Sequence, residues 1–166
     1  LIIILSCQSV FAVENISFEL TNCDTSQNRL FSVDMIAKSS TELSAATFEF
    51  KYDKNMIEFK NIKANNSKVK YNELDGSVKV SYLCADGKNI NNGDTIFSIT
   101  FKAISSGNCF VDFSASDCVD SNADFIDVGK CSSSNIQIGN SKEGNNNSSK
   151  SSPASDKSTK NSKSKN

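Results

Sequence analysis

The chain has 166 residues, a formal net charge of −1, and neither His nor Trp. Its length allows one domain of ordinary size. Without His the usual base for a Ser or Cys nucleophile is missing, and so is the imidazole of most zinc sites, which removes triad hydrolases and Cys–His metal modules from consideration.

Residues 1–12, LIIILSCQSVFA, carry an apolar run from Leu1 to Leu5 and end on Val10-Phe11-Ala12. This matches the back half of a secretory signal peptide, with cleavage expected after Ala12. Acylation of Cys7 is the lesser reading because ILSC is a poor lipobox. A buried first strand is disfavoured by the polar Ser6-Cys7-Gln8-Ser9 that follows.

From Val13 to Asn140 the pattern is strand, turn, strand. Apolar residues recur at period two in Ile16-Phe18-Leu20, Phe31-Val33-Met35, Phe48-Phe50-Tyr52, Ile57-Phe59 and Val69-Tyr71. They continue in Val78-Val80-Tyr82, Phe97-Ile99-Phe101, Val111-Phe113 and Ile136-Ile138. Such alternation marks strands with one buried and one wet face. Gly- and Asn-rich turns such as DGS at Asp75 and NNGD at Asn91 separate them. No window of helical length shows a 3.6 period. The nine strands predict an all-β sandwich of two antiparallel sheets packed face to face.

Five cysteines lie beyond the leader: Cys23, Cys84, Cys109, Cys118 and Cys131. An odd count leaves at least one thiol unpaired. Cys84 and Cys109 share the buried parity of their strands. Cys118 and Cys131 flank a loop and are the expected disulfide if one forms. That loop holds Asp117, Asp120, Asp124 and Asp127 but lacks the EF-hand register, so no metal site is expected in it. The remaining carboxylates sit in turns or alternate outward on strands, where solvation is their usual role. Flat sugar-binding platforms stack rings on exposed Trp or Tyr. Here there is no Trp, and Tyr52, Tyr71 and Tyr82 all share parity with buried neighbours.

Beyond Asn140 the segment contains nothing larger and more apolar than Ala or Pro, and it reads as a Ser/Asn/Lys-rich disordered linker over 141–166. Charge follows the same partition. Residues 13–140 hold 12 basic and 17 acidic side chains, whereas 141–166 hold 6 and 2. The basic tail has no Arg and no aromatic residue, so no nucleic-acid partner is expected. A leader remnant at one end and a linker at the other suggest one module of a longer product.

The segments ATFEFKYDKNMIEFKNIKA (46–64), GSVKVSYLCADG (76–87), NNGDTIFSITFKAISSGNCFVDFSASDCVD (91–120) and SNIQIG (134–139) resemble, in order and spacing, the cohesin domain. The matching features are a strand ending in Tyr52-Asp53, the strand from Met56 to Phe59, Gly93 to Lys102, and Val111 to Asp120. One departure is Lys54, where Pro is common in the family.

The resemblance implies a nine-stranded jelly-roll over residues 13–140 that is not an enzyme and that binds dockerin-bearing proteins, outside the cell or on a bacterial surface. It also implies that the partner packs on one sheet face. On the strands concerned, the outward residues are Ala45, Thr47, Glu49, Lys70, Asn72, Lys79, Ser81 and Leu83. Ala45 and Thr47 stand where well-studied cohesins carry Asn and Asp that hydrogen-bond the partner, so either the specificity differs or the partner is not a standard dockerin. Leu83, an outward Leu between polar neighbours, is the expected anchor. No cofactor is expected in this module, since calcium belongs to the dockerin. Polysaccharide would be met only indirectly, and the domain itself would not touch a membrane. The rival readings are a carbohydrate-binding or adhesin-type sandwich and an accessory domain of a larger glycoside hydrolase.

Overall fold

The computed structural model describes residues 15–65 and 67–140. The leader and the linker expected at 1–12 and 141–166 lie outside the described residues. Among the described residues eleven strands follow in chain order, and no helix interrupts them. They are β1 (Asn15–Leu20), β2 (Cys23–Ser26), β3 (Leu30–Ala37), β4 (Thr41–Tyr52), β5 (Ile57–Lys63) and β6 (Lys68–Leu74). Then come β7 (Ser77–Ile90), β8 (Thr95–Ala103), β9 (Gly107–Val119), β10 (Asp127–Ser132) and β11 (Ser134–Gly139).

Two sheets form, one with the order β10-β1-β3-β8-β5 and the other with the order β2-β11-β9-β4-β7-β6. They face each other as a jelly-roll sandwich. Their inner faces meet through the alternating apolar residues, whose spacing of two puts every second side chain inward. Phe48 and Phe50 of β4 and Val78, Val80 and Tyr82 of β7 are buried from one side, and Phe18, Met35, Phe97 and Phe101 from the other. Phenyl rings interlock between the sheets. Phe48 meets Phe18 edge-on at 5.1 Å and Phe97 at 5.3 Å, and Phe50 meets Phe97 at 6.0 Å. Edge-to-face contacts of this kind add to simple area burial.

Two strands were not anticipated from the sequence. β2, Cys-Asp-Thr-Ser, has no apolar alternation, and β10 is largely exposed and contains Gly129. Both are held by parallel pairing, β10 to β1 and β2 to β11, so the sheets are mixed and not purely antiparallel. The segment 15–26 thus runs alongside 127–139 in the same direction, first in one sheet and then in the other. Asn22 and Thr21 secure the switch: the Asn135 amide donates to Asn22 Oδ1 (2.8 Å) and the Ser134 hydroxyl to the Thr21 carbonyl (2.6 Å).

Tyr71 also departs from expectation. Its parity is inward, but β6 is an edge strand and the ring is 46% exposed, resting edge-on against Phe59 at 5.1 Å on the sandwich rim.

Candidate functional site

On the outer face of the six-stranded sheet, the four adjacent strands β6, β7, β4 and β9 are set by their register into a grid. Lys68, Leu83, Ala45 and Val119 lie in one row across the four strands. Lys70, Ser81, Thr47 and Ser116 form the next, then Asn72, Lys79, Glu49 and Ser114, then Leu74, Ser77, Lys51 and Asp112. Rows are spaced by alternate residues and columns by neighbouring strands, so the grid measures about 20 by 14 Å. All eight outward residues expected from the sequence therefore share this face: Ala45, Thr47, Glu49, Lys70, Asn72, Lys79, Ser81 and Leu83.

β4 supplies the central column because Phe48 and Phe50 anchor its inner side, which fixes Thr47, Glu49 and Lys51 outward. On β7, the buried Tyr82 does the same for Ser81 and Leu83. The Ser67 hydroxyl donates to the Tyr82 phenol oxygen (2.9 Å), which gives the buried polar end a partner. Burial raises the Tyr82 pKa. The β6–β7 hairpin turns at Asp75-Gly76, where Gly76 has φ +74°, a left-handed conformation that favours glycine.

At the far end of β9 the register shifts between Ser116 and Val119, and Asp117 takes φ +51°. This bulge flips the parity of the strand. Cys118 is driven inward and buried, and Val119 comes out beside Ala45. On the other flank of Val119, Phe125 makes an isolated antiparallel bridge and stands 81% exposed. Phe125, Val119, Ala45 and Leu83 therefore form one apolar row that ends at Lys68. Sequence parity alone found only the Ala45 and Leu83 end of it. Leu83 itself is 47% exposed.

The loop between β9 and β10 closes on itself. Asp120 Oδ1 accepts from the amides of Asn122 (2.8 Å) and Asp124 (2.9 Å). Among the described residues no group of three or more His, Cys, Asp or Glu side chains is placed to hold a metal ion. Cys118 and Cys131, expected as a disulfide, are free thiols in the structure, as are Cys23, Cys84 and Cys109. Burial, the neighbouring Cys131 and Asp117 push the Cys118 thiol up to about 12, and burial also raises Cys109, Cys131 and Cys23. Raised thiols are protonated at neutral pH and are poor nucleophiles. The face offers polar and apolar contacts across four paired strands, which suits recognition of a surface.

The cohesin-domain family model matches residues 19–138. A search of curated protein sequences returned no match. Among solved structures, a non-cellulosomal cohesin from the archaeon Archaeoglobus fulgidus superposes with a TM-score of 0.64 at 12% identity, over 75% of this chain and 91% of that one. The type I Coh-OlpA–Doc918 cohesin–dockerin complex from Clostridium thermocellum gives a TM-score of 0.65 at 17% identity, over 75% and 99%. The seventh ScaB type I cohesin from Pseudobacteroides cellulosolvens gives 0.65 at 16% identity, over 76% and 94%. At these identities the structural likeness is one of fold, and the family model supplies the sequence evidence. The match covers both sheets from the last residues of β1 to the penultimate residue of β11, and on that ground the chain belongs to the cohesin family.

Proposed function

We propose that this module is an extracellular docking unit that binds a dockerin-type partner on the outer face of the six-stranded sheet and so tethers the protein carrying that dockerin. The observation that carries the reading is the grid itself: one continuous face on which Leu83 stands half exposed, with Ser81 and Lys68 beside it. Isolated exposed leucines are common, but this one lies in register with three further apolar residues. Several similar structures are cohesin–dockerin complexes, the Clostridium thermocellum complex among them. Calcium would be supplied by the partner's fold and not by this module.

The test is capture of calcium-loaded recombinant dockerin modules on the immobilised domain, with and without chelator, alongside Leu83→Asp and Phe50→Asp. Binding should vanish on chelation while the melting temperature of the isolated domain stays put. Leu83→Asp should fold and bind at least about thirty-fold more weakly, the loss of a 2 kcal/mol anchor. Phe50→Asp should unfold the domain, since Phe50 is buried among three rings. Undiminished binding by folded Leu83→Asp would show that the partner uses another surface.

A further inference from the structure

The grid is charged against the sign of the domain that carries it. Its sixteen positions hold Lys51, Lys68, Lys70 and Lys79 against Glu49 and Asp112, a net +2. Residues 13–140 as a whole carry −5, so the rest of that span carries −7. Lys51 is 3.9 Å from Glu49. Lys68, Lys70 and Lys79 form no ion pair among the described side chains and stand exposed at the β6–β7 side. Next to them runs the apolar row from Leu83 through Ala45 and Val119 to Phe125.

From this juxtaposition we infer that the partner of this face is an acidic one: a surface whose apolar ridge lies along Leu83–Ala45–Val119–Phe125, with carboxylates on the flank that meets Lys68, Lys70 and Lys79. The inference rests on the dockerin reading above and adds the partner's charge and a second anchor, Phe125. Like-charged partners are rejected at such a face and oppositely charged ones are steered to it. A patch of one sign on a body of the other also orients the encounter before contact. Each part has a distinct kinetic signature. Rim lysines govern association and its salt dependence, whereas apolar anchors in a desolvated row govern dissociation. Phe125 projects from a loop and is almost fully solvated, so its loss would be felt in binding and hardly in folding.

The experiment measures association and dissociation rates against recombinant calcium-loaded dockerins whose surfaces range from net acidic to net basic, at 50 and 300 mM NaCl. Acidic dockerins should bind tightest, and their association should slow about ten-fold or more in the higher salt. The combined Lys68→Glu, Lys70→Glu, Lys79→Glu variant should invert the ranking of the panel. Phe125→Ser should speed dissociation with the salt dependence unchanged. If dockerins bind and Leu83→Asp abolishes that binding, but neither dockerin charge nor lysine reversal matters, the docking face stands and the acidic partner is overturned. If no dockerin of any charge binds, the dockerin reading falls and this inference with it. Concentration-dependent dimers that Leu83→Asp dissolves would assign the face to a second copy of the chain and also overturn the inference.

Discussion

Tyr52 and Cys118 are neutral groups that the fold keeps neutral. Burial and the neighbouring Glu73, which accepts the phenol's hydrogen bond at 3.3 Å, push the Tyr52 pKa from 10.0 up to about 12. Cys118 moves from 9.0 to about 12, chiefly through burial on the inner side of β9. Each holds its proton more tightly folded than unfolded. Their contribution to stability is therefore complete below about pH 9 and is lost as the pH rises through the folded values near 12. The domain should melt at progressively lower temperature from pH 9 upward. Tyr52→Phe and Cys118→Ala should each make that decline shallower, whatever their small effects at pH 7. Thermal melts between pH 7 and 11 decide the matter, and parallel declines in all three proteins would contradict it. The bulge at Asp117 also hides half of the apolar row, Val119 and Phe125, from a hydropathy pattern. Period two would send Cys118 outward with Ser114 and Ser116, and only the left-handed Asp117, invisible to a hydropathy pattern, turns it in and brings Val119 out.

The strands that were legible are those buried on one face. β4, β7, β8 and the core of β9 alternate cleanly because one side meets the opposite sheet. Parity on β4 and β7 puts Ala45, Thr47, Glu49, Lys79, Ser81 and Leu83 on one face before any register is known, and Lys70 and Asn72 join them through the pairing of β6 to β7. β2 and β10 were not legible, because their stability comes from backbone pairing to a parallel neighbour, which leaves no trace in hydropathy. The grid depends in turn on an element with little core of its own. β6 buries almost nothing and is kept in place by β7 and by the tight Asp75-Gly76 turn, whose carbonyl at Gly76 accepts from the Tyr52 amide at 3.0 Å. A Cβ at Gly76 would lie 3.3 Å from the Tyr52 carbonyl oxygen, on a backbone that β-branched residues resist. Gly76→Val should therefore cost about 1–3 kcal/mol. The loss should be local, with the amides of Lys68–Leu74 losing hydrogen-exchange protection before those of β4. A uniform loss across both sheets would show that β6 is an integral part of the cooperative unit.

Taken as one body, the sandwich has its first two strands running alongside its last two and pointing the same way, β1 beside β10 and β2 beside β11. Asn15 pairs with Asp127, and the line continues through the sheet switch at Thr21 and Asn22 until Ser26 meets Gly139. The chain therefore enters at one end of this double strip and leaves at the other. A tensile load applied between Asn15 and Gly139 pulls the two segments along their length in opposite directions. Hydrogen bonds in that geometry share the load and must fail together, whereas a hairpin pulled from its open end gives way one bond at a time. In single-molecule pulling, attachment at the two ends of the domain should require markedly higher force than attachment across the β6–β7 hairpin, at Lys68 and Leu83. Equal forces would mean that the parallel strips bear no special load. If the difference is found, a domain that looks like a docking platform when viewed face-on is, when viewed along its axis, a tension-bearing link in a chain.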